Sequence, residues 1–432
     1  MSKIVDWERD DLFHVPMDAV AGLLHELAGR NVRLRADYGL YEYTAYARRQ
    51  APASIVPREP AVVPVMRPQL PSTASLSRYL RRIDVSRVYT NHGPLVNELE
   101  ERLSDLVRLP AGAVVTATSG TDALAGAILA TAGRGTSARP FAILPAFTFV
   151  ATAIAAELCG YRPYLVDVDA ETWMLDPDAL RSHPVLGEAG LVIPVAPFGR
   201  PVSQERWLAF QAATGTPVVF DGASSLDRIV ASPQSYVGEI PVALSFHATK
   251  SFATGEGGGV ATTNAGLANR VARALNFGFF EGRDSRGPSL NGKMSEYHAA
   301  VGLAELDGWA EKRMALERAA HMYASVDDQS AVLERLVTTP DVSSTYVLFH
   351  AAGPAEAAAV QGALRLDRIE FRQWYGGGVL EHPYFRDVRH DSLLVTERLG
   401  ACLIGLPIAP DLTEETVARV TSALVRALER NV

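Results

Sequence analysis

From Val114 onward the chain repeats one pattern: a short apolar run, a turn, then an Ala/Leu-rich stretch of helical character. The apolar runs are Val114–Ala117, Phe141–Leu144, Tyr164–Val168, Leu191–Val195, Pro217–Phe220 and Val242–Phe246; helical stretches include Thr121–Thr131 and Val150–Leu158. Runs of this kind are strands buried on both faces. Alternating with helices, they predict an α/β fold built on a mostly parallel sheet covered by helices on both sides. Ala268–Leu275 and Glu296–Leu316 extend the helical set. From about Ala319 to Val432 the pattern is more mixed, with a strand near Tyr346–Phe349 and helices near Ala355–Leu364 and Glu414–Glu429, which reads as a smaller α/β domain.

A chain of 432 residues is too long for one compact core. We expect an N-terminal extension over 1–60, a large domain over 61–315 and a small C-terminal domain over 316–432. The extension shows a short amphipathic helix at Met17–Leu27 and a tyrosine-rich patch at Tyr38–Tyr46, then a proline-rich connector, APASIVPREPAVVPVMRPQLP. Prolines at that density prevent a continuous helix and mark a boundary. Tyr38, Tyr41 and Tyr43 suit interface packing, or the lining of an entrance.

Several function classes fall away. The formal net charge is −8 and no basic run occurs, so no nucleic-acid partner is expected. No stretch approaches about 18 uninterrupted apolar residues, so no membrane span is expected. The start, MSKIVDWERDDLFH, has no apolar signal-peptide core, and a cytoplasmic location fits. The two cysteines, Cys159 and Cys402, lack CxxC spacing, which argues against a disulfide framework and a cysteine zinc site; no metal centre is expected.

Ligands of open parallel sheets sit beyond the carboxyl ends of the strands, and three segments place reactive groups there. Thr118-Ser119-Gly120-Thr121-Asp122 lies between a strand and a helix, and reads equally as a capped turn and as a phosphate-binding turn. Asp221 follows the apolar run VVF, where capping the next turn is its ordinary role. Lys250 closes SFHATK and precedes the glycine-rich Gly255–Gly259. A lysine, an acid, a phosphate cradle and an aromatic lid are what pyridoxal 5′-phosphate requires. The lid candidate lies in Pro145-Ala146-Phe147-Thr148-Phe149, where either phenylalanine also suits the core.

At this point the sequence resembles the DegT/DnrJ/StrS aminotransferases, the sugar-aminotransferase branch of pyridoxal-phosphate fold type I. The resemblance runs from about Val62 to the C-terminus and rests on six motifs in order: YTNHGPLVNELE, ATSGTDAL, PAFTFVATA, VDVD, SFHATKSF with GEGGG, and NGKMSEYHAAVGLAEL. It implies that Lys250 binds the cofactor covalently and that Asp221 pairs with its pyridine nitrogen. Phe149 would stack on the ring. Gly120, Thr121, Asp122 and Ser245 would hold the phosphate, and Asn291 would reach it from the neighbouring subunit of a homodimer. It also implies a ping-pong transamination from L-glutamate to the keto group of a nucleotide-linked keto-deoxy sugar, closest to enzymes that make 4-amino sugars. An aminocyclitol or another secondary-metabolite ketone is the alternative acceptor, and a non-catalytic sensor of the cofactor or of a sugar nucleotide is the alternative class.

Two positions depart from the family pattern. Ser224 stands where a histidine or glutamine is usual, near the cofactor's phenolic oxygen, and Lys293 stands where an arginine is usual. Two further residues have mainly structural readings, His247 in local hydrogen bonding or packing and Glu256 in ordering the glycine loop, while Arg372 reads equally as a surface or structural residue and as a ligand of a donor carboxylate or nucleotide phosphate.

Overall fold

The computed structural model describes three strands within residues 13–47, and residues 61–279, 282–325 and 330–429. It separates residues 1–59 from residues 60–432 as two compact units. In the first unit β1 (Phe13–Val15), β2 (Val32–Ala36) and β3 (Tyr43–Ala47) form an antiparallel sheet in the order β1-β3-β2. Tyr43 and Tyr46 of the tyrosine-rich patch fall on β3, whereas the helix expected at Met17–Leu27 lies outside the described residues.

The second unit opens with helices α1 (Thr73–Ser86) and α2 (Pro94–Leu106). Ser72 caps α1 by accepting from the Ser75 N–H, and Pro94 occupies the first position of α2, where its missing N–H costs nothing. The sheet follows: β4 (Val114–Ala117), β5 (Phe141–Pro145), β6 (Arg162–Val166), β7 (Ala189–Val192), β8 (Phe220–Asp221), β9 (Val242–Ser245) and β10 (Gly258–Ala261). Two four-stranded segments, β4-β10-β9-β8 and β13-β6-β5-β7, with β13 at Arg389–His390, meet through parallel bridges Val192↔Val218 and Val195↔Asp221. All pairings are parallel except those of β10, which runs antiparallel to both β4 and β9.

The strand sequences explain this burial. Val114, Ile143, Val218, Phe220, Val242 and Leu244 enter one core with Leu99 and Leu103 of α2. Their neighbours Val115, Ala142, Leu144, Val219 and Ala243 enter a second core with Ala123–Leu129 and Ala153. Successive side chains point to opposite faces, so a strand covered on both sides must be apolar throughout. The second core is closed by α3 (Gly120–Thr131), α4 (Val150–Leu158) and, behind them, α7 (Ala265–Leu275), counting α5 (Gln204–Thr214) and α6 (Leu226–Ala231) between. A 29-residue helix α8 (Glu296–Ala324) runs from the first core into a third, where Leu316, Ala320 and Tyr323 meet α9 (Pro354–Leu366), β12 (Leu348–His350), β14 (Leu403–Gly405) and α11 (Glu414–Glu429). Between α9 and α11 lies α10 (Leu394–Cys402), and β11 (Leu336–Val337) edges the small sheet β11-β12-β14. The second half of the proline-rich connector joins this third core through Val63, which bridges Ile369.

The glycine-rich stretch differs from its reading as a loop. Gly258 and Gly259 are the first residues of β10, and only Gly255, at φ 87°, adopts the left-handed turn conformation. A side chain at Gly258 would collide with the Ser119 carbonyl, so this strand must be bare where it passes the α3 turn.

Candidate active site

The carboxyl ends of β5, β8 and β9 place Phe149, Asp221 and Lys250 at one end of the sheet. Lys250 lies in the turn after β9, where its N–H donates to the His247 carbonyl at 2.9 Å. Its side chain is half-buried, and Nζ donates to Ser224 Oγ at 2.8 Å and to Tyr346 Oη at 3.3 Å. Those two hydroxyls are 3.1 Å apart. Tyr346 comes from the loop before β12, and sequence reasoning read it only as the start of a strand.

Lysine is scarce: the chain has four, Lys3, Lys250, Lys293 and Lys312, among 41 basic residues. Lys312 is held by the buried Glu305 and Lys293 by Asn291, while Lys3 lies outside the described residues. Lys250 is the one of the described three that faces Asp221 closely enough for its charge to act on that carboxyl.

Asp221 ends β8 and is buried. Its carboxylate accepts from Thr152 Oγ1 at 2.7 Å and from the Ala223 N–H at 3.1 Å, and Thr152 Oγ1 lies 2.9 Å from Thr148 Oγ1. Burial pushes the Asp221 pKa up; the Thr152 hydroxyl, the Ala223 N–H and the Lys250 charge pull it back. A buried carboxylate is costly unless a cation or several donors meet it, and no described ion pair includes Asp221. Thr152 is the second site residue missed from sequence; it stands one helical turn after Thr148, and the pair is buried between the lid segment and Asp221.

Gly120, Thr121 and Asp122 form the first turn of α3. Ser119 caps it, accepting from the Asp122 N–H at 3.0 Å, and the Asp122 carboxylate accepts from the Thr118 and Ser119 hydroxyls. Asp122 therefore serves as the turn's clasp. The N–H groups of Gly120 and Thr121 are among those a helix start leaves without an intrahelical acceptor, and they carry the positive end of the helix dipole. Ser245 ends β9 against Gly120: a Cβ at Gly120 would come within 2.8 Å of the Ser245 Cβ. Two closely packed backbones and a serine thus make one donor-rich concavity.

The two phenylalanines of the lid segment separate cleanly. Phe147 is buried against Phe198 and Tyr375, whereas Phe149 is 58% exposed at the start of α4. Asn291 is exposed, and its side-chain oxygen accepts from Lys293 Nζ rather than joining the groups above. Lys293 Nζ also lies 4.4 Å from the centre of the Phe277 ring. The Asn291 segment is stitched to the phosphate-turn candidate, since the Thr118 N–H donates to the Gly292 carbonyl at 2.8 Å. It is stitched to α2 as well: the buried Glu296 carboxylate accepts from the Leu95 and Val96 N–H groups at 2.9 and 2.8 Å.

His247 Nδ1 pairs with Thr249 Oγ1 at 2.8 Å and Nε2 lies 3.8 Å from Glu256 Oε1. Burial, and secondarily the Lys250 charge, lower its pKa against the pull of Glu256. Arg372 lies over the Trp374 ring at 5.5 Å. Among the described residues no group of His, Cys, Asp and Glu could hold a metal ion, and no helix is long and apolar enough to cross a membrane.

The chain matches the model of the DegT/DnrJ/EryC1/StrS aminotransferase family over residues 72–425. It is 31% identical over 396 residues to Protein Rv3402c of Mycobacterium tuberculosis (strain ATCC 25618 / H37Rv), covering 89% of this chain and 93% of that one. It is 25% identical over 374 residues to dTDP-4-amino-4,6-dideoxy-D-glucose transaminase of Escherichia coli, covering 84% and 98%. Among solved structures it superposes on DesI, determined in the presence of its TDP-sugar product, with a TM-score of 0.71 and 28% identity over 85% of this chain and 93% of that one.

Proposed function

The chain belongs to the DegT/DnrJ/EryC1/StrS aminotransferase family and is a pyridoxal-phosphate-dependent aminotransferase, and from that premise we propose that it moves an amino group from L-glutamate to the keto group of a nucleotide-linked keto-deoxy sugar, at the 4-position. The observation that carries the catalytic part is the convergence of Lys250 Nζ on Ser224 and Tyr346, beside a buried Asp221 whose carboxyl feels the Lys250 charge. The name of the Escherichia coli relative and the TDP-sugar product in whose presence DesI was determined support the acceptor class.

The residues present fit the cofactor. A buried carboxylate within reach of a lysine's charge suits a protonated pyridine nitrogen, and the bare α3 start beside Ser245 suits a phosphate. When bound, the cofactor supplies an electron sink for the bond broken at the donor's α-carbon. In this reading Lys250 attaches the cofactor, and once freed acts as the general base and acid that carries the α-proton, worth typically about 10²- to 10⁴-fold. Asp221 keeps a positive charge on the pyridine nitrogen. Gly120, Thr121, Asp122 and Ser245 hold the phosphate, with Asp122 acting by fixing the turn. Phe149 covers the ring, and Ser224 meets the lysine side of the site. Asn291 completes the phosphate contacts of the partner's site, which makes the active unit a homodimer. We further propose that 61–315 holds the cofactor, that 316–432 is the small domain, that 1–60 is an added module, and that the protein works in the cytoplasm.

An aminocyclitol or another ketone as acceptor, and a sensor without turnover, are the competing readings. The cofactor-loaded protein is incubated with L-glutamate and then with a panel of keto acceptors, and 2-oxoglutarate and aminated product are measured. A nucleotide-linked 4-keto sugar should be aminated best. Preference for a free cyclitol ketone would move the assignment to that class, and no 2-oxoglutarate from a cofactor-loaded protein would favour the sensor.

A further inference from the structure

The Tyr346 hydroxyl stands at the heart of the site, yet none of the steps above uses it. Its ring is fixed from two sides, edge-on to Phe198 at 5.2 Å between centroids and edge-on to Trp374 at 5.6 Å. Its backbone is fixed as well. The loop 343–346 is clamped by Asp227 of α6, a carboxylate 2% exposed, which accepts from Ser343 Oγ at 2.9 Å and from the Ser344 N–H at 2.7 Å. The Ser343 N–H donates to the Phe198 carbonyl at 2.8 Å, and the Tyr346 N–H to the Ser343 carbonyl at 3.0 Å. Asp227 stands three residues after Ser224, so one short stretch of chain both anchors the loop and supplies the second hydroxyl at Lys250.

A tyrosine held this firmly and aimed at a lysine amine does more than fill space. We propose that Tyr346 is a catalytic residue of this site: with Ser224 it forms a hydroxyl pair that holds the freed Lys250 amine in place in both of its protonation states. This rests on the reading of Lys250 as the cofactor lysine. The hydrogen-bond inventory permits both states without moving a heavy atom. As an ammonium, Lys250 donates to both oxygens. As a neutral amine it has one lone pair, which accepts from the Tyr346 O–H; it still donates to Ser224 Oγ, and the Ser224 O–H donates back to Tyr346 Oη across 3.1 Å. The proton taken up by the nitrogen is the one it later returns, and the two hydroxyls only rotate. The amine is thus pre-positioned at both ends of the transfer, which is where orientation counts. Asp227 is a positioning residue that acts through the loop.

Tyr346→Phe keeps both ring contacts and removes only the hydroxyl. Three quantities are measured on the full chain. In cofactor-free protein, brief acetylation with isotopically labelled acetic anhydride followed by peptide mapping gives the reactivity of Lys250; only four lysines need resolving. Loss of the hydroxyl that occupies the neutral amine's lone pair should make Lys250 acetylate about 5-fold faster. In cofactor-loaded protein the glutamate half-reaction should slow by about 10- to 100-fold in its limiting rate with little change in glutamate KM. The melting temperature should stay within a few degrees of wild type, roughly the shift expected from one lost hydrogen bond. Asp227→Asn should change reactivity and rate in the same directions by smaller factors, and serves as the test should the phenylalanine variant fail to fold. Wild-type acetylation and wild-type half-reaction in these variants would overturn the proposal. Borohydride reduction separates this from failure of the underlying reading: cofactor fixed on Lys3, Lys293 or Lys312 would remove both, whereas cofactor on Lys250 with an unaltered phenylalanine variant removes only the role of Tyr346.

Discussion

Thr152 offers the sharpest single-atom probe of the site. Its Oγ1 donates to the Asp221 carboxylate at 2.7 Å, and both residues are buried. Thr152→Val exchanges the hydroxyl for a methyl of similar size, so packing in α4 hardly changes. What is lost is a hydrogen bond to a charged group, worth about 1.5–3 kcal/mol, or roughly 10- to 150-fold in an equilibrium that depends on the ionised carboxylate. Burial already holds the Asp221 pKa up, and Thr152 is the largest of the contributions that pull it down. Removing it raises the pKa further, so the ionised form is scarcer at any pH below full ionisation. Cofactor retention and the glutamate half-reaction should therefore fall by about 10-fold or more on the acid limb of the profile and recover as pH rises, with that limb moved to higher pH. Thr148→Val, one hydroxyl farther from Asp221, should give a smaller effect of the same sign. The assay is the absorbance change on adding L-glutamate, followed across pH beside a cofactor titration. Coincident acid limbs for Thr152→Val and wild type would refute the reasoning.

Other consequences are open to direct measurement. Burial pushes the Glu100 carboxyl from 4.5 up to about 7, against hydrogen bonds from the Thr116 N–H and hydroxyl; its contribution to stability is fully present below the unfolded pKa and is lost as pH rises through the folded one. Glu100→Gln should thus gain up to about 3 kcal/mol in urea unfolding well above pH 7 and nothing at the acid end, and a pH-independent difference would contradict this. Mixing inactive Lys250→Ala and inactive Asn291→Ala chains should restore part of the activity, because one site of the heterodimer carries both lesions and the other neither; a fully active monomer at low concentration rules the shared site out. A chain lacking residues 1–59, the separate N-terminal unit, should keep the glutamate half-reaction nearly intact, and its loss in a folded, cofactor-loaded truncation would show that the unit serves catalysis.

How much of the molecule is legible in its sequence follows from physics. Strands apolar on both faces announce a covered parallel sheet, and β4, β5 and β9 lie within a residue or so of their expected limits. β10 does not announce itself: Gly258 and Gly259 have no side chains to show a period, and the constraint that makes them glycine, the Ser119 carbonyl, is more than a hundred residues away. Helix α8 continues eight residues past its expected end at Leu316, because its last turns are buried by a core the local pattern does not contain. In the site, Lys250 and Asp221 are readable because a charged group closely follows an apolar run. Tyr346 and Thr152 are not, since a tyrosine beside an apolar strand and a threonine in an alanine-rich helix are ordinary until the fold brings them to Lys250 and Asp221. The scarcity of lysine is a usable signal, for it leaves few candidates for covalent attachment.

The central claim is that Lys250 carries the cofactor in a glutamate-driven transaminase. The purified protein, loaded with pyridoxal phosphate, is divided in two. One half is reduced with borohydride and mapped; the other receives L-glutamate while the cofactor absorbance and 2-oxoglutarate are followed. The account predicts the reduced cofactor on the peptide containing Lys250, and a glutamate-dependent loss of the cofactor's visible band with one 2-oxoglutarate released per site. Cofactor fixed to another lysine, or a band that glutamate leaves unchanged, would contradict it.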